Sequence, residues 1–68
     1  MTDEQKADRV VEITLKIRKR KPDIPVPRAG WLAIGHIPAI KGHQARSIHS
    51  MAMKKLNARA DVAGSTPA

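Results

Sequence analysis

Five cationic side chains, Lys16, Arg18, Lys19, Arg20 and Lys21, occupy six consecutive positions. A second set of donors follows beyond four prolines: Lys41, His43, Gln44, Arg46, Ser47, Ser50, Lys54 and Lys55. The chemistry open to such residues is recognition of anions. Lysine and arginine hold phosphate oxygens, and glutamine or arginine reads base edges through paired hydrogen bonds. On this reading Lys16, Arg18, Lys19, Arg20 and Lys21 hold phosphates, and Arg28 and Lys41 extend that surface. Gln44, Arg46, Ser47 and Ser50 supply any sequence reading, with Lys54 and Lys55 on the flanking backbone. If about six cations touch phosphate, log affinity falls against log salt with a slope of about −5.

The same residue types offer little to catalysis. His36, His43 and His49 are spaced by seven and six, whereas two ligands on one helical face need a spacing of three or four, and there is no Cys to complete a zinc site. Asp23 is the only carboxylate between Glu12 and Asp61, so paired acids, or a carboxylate to orient a His–Ser pair, have no evident source. The glycines do not fit the phosphate-loop pattern G-x-x-x-x-G-K-[ST]. The expectation is a binding protein, not an enzyme, with no cofactor and no metal.

Charge is unevenly spread along the 68 residues, whose formal total is +7. Residues 1–15 set Asp3, Glu4, Asp8 and Glu12 against Lys6 and Arg9, a net −2. Residues 16–59 set eleven Lys and Arg against Asp23 alone, a net +10. A field of that sign attracts polyanions at long range. Nucleic acid is the expected partner. Duplex DNA ranks ahead of RNA, because Trp31, the only aromatic residue, leaves little for single-strand stacking. The alternative is an interaction or inhibitor protein whose basic surface docks on an acidic protein, presenting the proline-bearing segment beside its charged edge. A chain this short buries only about 60% of its unfolded surface. Without Cys it has no disulfides to compensate, so a homodimer is expected. The longest apolar run is Trp31 to Ile34, far short of a membrane span, and Asp3 and Glu4 precede any basic residue, unlike a secretory leader. A cytoplasmic protein without membrane contact is the expectation.

The elements that must carry these residues read as a mainly α, three-helix domain with a Pro-rich connector, covering residues 1–58. Thr2 and Gln5 form a capping-box pair, Asp3 and Glu4 suit the positive end of a helix dipole, Arg18 to Lys21 suit the negative end, and Pro22 stops the helix. Ala7, Val10, Val11, Thr14 and Ile17 form its apolar stripe, widened by Ile13 and Leu15. An alternative fits the middle of this segment equally well. Val11, Ile13, Leu15 and Ile17 alternate with Glu12, Thr14, Lys16 and Arg18, the pattern of a half-buried strand over 10–18. A strand there followed by two helices would give a β-α-α order that resembles the ribbon-helix-helix family of DNA-binding dimers. That resemblance would make Glu12, Thr14, Lys16 and Arg18 the groove readers.

Pro25 and Pro27 bias Ile24 and Val26 towards extended backbone, which makes the connector stiff. Pro27 can start a short second helix through Ile34, with Gly35 as a left-handed cap and with Trp31, Leu32 and Ile34 buried. The last helix is expected over about 43–58. Ala45, Ile48, Ala52 and Leu56 form its apolar face, flanked by His49 and Met53. Its opposite strip, His43, Arg46, Ser47, Ser50, Lys54 and Asn57, has no carboxylate, whereas a solvated helix face usually mixes acids with bases. Residues 59–68 are expected to form a disordered tail.

Overall fold

A computed structural model of the protein describes residues 2–64, with side chains to residue 59. It contains three helices, α1 (Asp3–Arg20), α2 (Val26–Gly35) and α3 (Gly42–Gly64), and no strand among the described residues. The alternating segment 10–18 is therefore helical, and the β-α-α arrangement is not supported. The punctuation at its ends decides this. The Gln5 amide donates to Thr2 Oγ1 at 3.1 Å and the Thr2 amide donates to Gln5 Oε1 at 2.9 Å, a complete capping box. At the other end Lys21 still donates its amide to Ile17 O, and Pro22 cannot continue the pattern.

Ala7, Val10, Val11 and Thr14 are the buried residues of α1, spaced by three and four. Leu15 falls off that stripe and is 43% exposed. The hydrophobic core combines this stripe with Ala33, Ile34, Ile37 and Ile40, and with Ile48, Ala52 and Leu56 of α3. Each helix packs on the other two. Thr14 is fully buried, and its hydroxyl has no hydrogen-bond partner among the described residues.

α2 begins one residue before the expected proline. Pro25 caps it in extended backbone, and Pro27 lies in the first turn, where a missing amide costs nothing. Its buried residues are Ala29, Gly30, Ala33 and Ile34. Trp31 and Leu32, expected in the core, are 46% and 45% exposed. The reason is Gly30. A methyl group there would stand 2.6 Å from Met53 Cε and 2.9 Å from His49 Nε2, so α3 approaches α2 at the glycine, and the two large residues that follow turn outward. Gly35 does not act as a left-handed cap. The helix ends at His36 in ordinary right-handed backbone, with three-residue bonds from the His36 and Ile37 amides to Ala33 O and Ile34 O. α3 continues to Gly64, past the expected end near 58, through the good helix formers Ala58, Ala60 and Ala63. The rest of the expected tail, 65–68, lies outside the described residues. No described helix is long and apolar enough to cross a membrane.

Candidate nucleic-acid interface

The fourteen side chains singled out as anion contacts fall into three groups. His43, Arg46, Ser47, Ser50 and Lys54 line one shallow groove along α3, with Met51 at its edge. All five are exposed, and they lie opposite Ile48, Ala52 and Leu56, which face the core. Among the described residues no hydrogen bond or ion pair engages Arg46 or Lys54. Lys41 stands just before the helix, where its carbonyl accepts the Gln44 amide at 2.9 Å.

Arg28 is grouped with these residues as an exposed cation of α2, the helix packed on α3. His49 Nε2 lies 2.9 Å from Pro27 O, so a proton on that nitrogen donates to the carbonyl, and the His49 ring stacks on Trp31 with centroids 4.1 Å apart and planes 9° from parallel. The first contact fixes the first turn of α2, and the second its middle, against the middle of α3. Arg28, the next residue after Pro27, is exposed on α2 and does not itself line the α3 groove.

The second group lies at the end of α1. Lys16, Lys19 and Arg20 border a groove with Ile13, Ile17 and His36, and Arg20 and Lys21 border its continuation. This groove shares no residue with the α3 groove. The place of His36 in this groove has no signature in the sequence, because its partners on α1, from Ile13 to Lys21, lie 15 to 23 positions away along the chain.

The third group is half-buried and engaged by the fold's own polar groups. Arg18 Nε donates to Ile24 O at 3.0 Å and Arg18 Nη2 donates to Pro22 O at 3.2 Å, so this half-buried guanidinium ties the proline connector to α1. Gln44 Oε1 accepts from Lys6 Nζ at 3.2 Å and from the Lys41 amide at 3.3 Å, a capping interaction that also links α1 to α3. Lys55 Nζ lies 3.1 Å from Asp8 Oδ1 and 3.4 Å from Glu4 Oε1. The Asp8 hydrogen bond, opposed by partial loss of hydration and reinforced by the Asp8 charge and by Glu4, raises the Lys55 ammonium above its ordinary pKa of 10.5.

These bonds sort the charge. Glu4 and Asp8 are drawn to Lys55, and Glu12 pairs with Arg9 at 3.5 Å. The α3 groove is left lined by cations, an imidazole and two hydroxyls, with no carboxylate. Such a surface suits phosphate oxygens and the polar edges of bases. No protein-family model, no curated protein and no solved structure matches the chain.

Proposed function

We propose that the protein is a small regulator that binds double-stranded DNA in the cytoplasm, through the exposed strip of α3. The observation that supports this reading most is the carboxylate-free groove of His43, Arg46, Ser47, Ser50 and Lys54. Arg46 and Lys54, eight residues apart, stand about 12 Å apart along the helix axis. That separation lets them meet phosphates on either side of a groove while the serines between them face the base edges. Arg28 on α2 and Lys41 just before α3 add backbone contacts. Arg18, Gln44 and Lys55 serve the fold instead.

With about four phosphate contacts per chain, the slope of log affinity against log salt is about −3.5. The proposal includes a homodimer, which doubles the phosphate contacts on one duplex. Two copies related by a two-fold axis would meet a two-fold site. The experiment is fluorescence anisotropy of labelled duplex DNA, single-stranded DNA and RNA against the full chain at physiological salt. Preferential binding of duplex supports the proposal; equal weak binding of all three contradicts it.

A further inference from the structure

Beneath Lys16, Lys19 and Arg20 lies a floor of aliphatic side chains, which distinguishes this second basic surface from the strip on α3. The groove runs over Ile13 and Ile17 to His36, and its continuation runs over Ile24 and Leu32 with Arg20 and Lys21 at the edge. Three segments contribute: the last turns of α1, the proline connector and the outer face of α2. Arg18 holds the connector in place by its two bonds to Pro22 and Ile24 carbonyls, so the floor is assembled before anything binds. Leu32 is 45% exposed in this groove, and no carboxylate lines either part of it.

Charge and apolar surface together select the occupant. DNA phosphates match the cationic rim but offer nothing apolar to the isoleucines and Leu32. A second copy of this chain offers acids on α1, yet Glu4 and Asp8 already hold Lys55, and the apolar residues beside them, Ala7, Val10 and Val11, are buried. A partner helix with leucine-like residues on one face and carboxylates around them supplies both requirements. We propose that this groove binds an acidic amphipathic peptide segment of another protein. Its aliphatic residues sit on Ile17, Ile24 and Leu32, and its carboxylates pair with Lys16, Arg20 and Lys21. The proposal is independent of DNA binding by α3, since the two surfaces share no residue.

The test maps backbone amide shifts of the isotopically labelled full chain. The probe is a synthetic helix with Leu at i, i+3, i+4 and i+7 and Glu at the remaining positions. Its control has the same charge with every Leu replaced by Ser, and duplex DNA is titrated separately. The expected result is saturable movement of amides around Ile17, Ile24, Leu32 and His36, with the control at least tenfold weaker. Leu32→Ser weakens the peptide about tenfold, equivalent to about 1.4 kcal/mol, and leaves the affinity for duplex DNA unchanged. Arg20→Glu weakens the peptide by at least as much and serves as the second variant should Leu32→Ser disturb the fold. Absence of saturable shifts, equal binding of the Ser control, or shifts centred on the α3 strip would each overturn the proposal.

Discussion

Arg18 and Arg46 carry the same guanidinium into opposite circumstances. Arg18 is half-buried and bonded to two carbonyls of the connector, while Arg46 is exposed on the strip of α3. Arg18→Ala is therefore expected to cost about 1–3 kcal/mol of stability, because it leaves those carbonyls without their charged donor, and to change DNA affinity little. Arg46→Ala is expected to do the reverse, and denaturant titration beside DNA titration of both variants separates the two roles. Gly30 makes a different prediction. Ala is the better helix former, but its methyl group would collide with Met53 and with a His49 already held by Pro27 and Trp31. Gly30→Ala should lower stability by about 1 kcal/mol net and alter Trp31 fluorescence; a stabilised variant would contradict the close approach. Lys55 sets the alkaline response. Its pKa is higher folded than unfolded, so the stabilisation is complete below about 10.5 and is lost as pH rises through the raised folded value. Lys55→Met should remove that part of the alkaline loss in a stability profile measured from pH 8 to 12.

At the scale of elements, the ends of α1 carry more information than its middle. The alternation of Val11, Ile13, Leu15 and Ile17 suits a strand, yet Thr2, Gln5 and Pro22 punctuate a helix, and the stripe Ala7, Val10, Val11 and Thr14 gives that helix a face to bury. Thr2→Ala should remove about 1 kcal/mol by leaving the Gln5 amide without its cap, read as a lower denaturation midpoint with unchanged DNA affinity. The strip on α3 was legible in the sequence for a related reason: residues on one helix share a face according to their spacing, and nothing distant alters it. What needed the folded chain was everything between elements. Trp31 and Leu32 read as core residues by hydropathy, but the register of α2 is fixed by Gly30, whose role depends on Met53 and His49 some twenty residues away. Arg18, Gln44 and Lys55 read as free polar side chains because their partners, the Ile24 carbonyl, the Lys6 ammonium and Asp8, are brought to them only by folding. The groove around His36 drew on three segments at once and had no local signature.

Taken whole, the molecule separates its charges. Ion pairs gather Glu4, Asp8 and Glu12 of α1 against Lys55 and Arg9, and exposed cations line both a polar strip on α3 and an aliphatic-floored groove at the end of α1. The net charge of +7 speeds association with any polyanion, but the two surfaces differ in what they hold once contact is made. Sedimentation equilibrium of the full chain, alone and with duplex DNA, should show a dimer at least when DNA is bound; a monomer throughout would remove the two-fold arrangement while leaving the strip intact. The central claim is that α3 presents the DNA-binding surface. The most direct measurement is the salt dependence of duplex DNA affinity for the wild-type chain and for the Arg46→Ala/Lys54→Ala double variant. The account predicts that the double variant binds more weakly at every salt concentration and that its slope is shallower by about 2 for each chain bound. An unchanged affinity and slope in a variant that remains folded would contradict it.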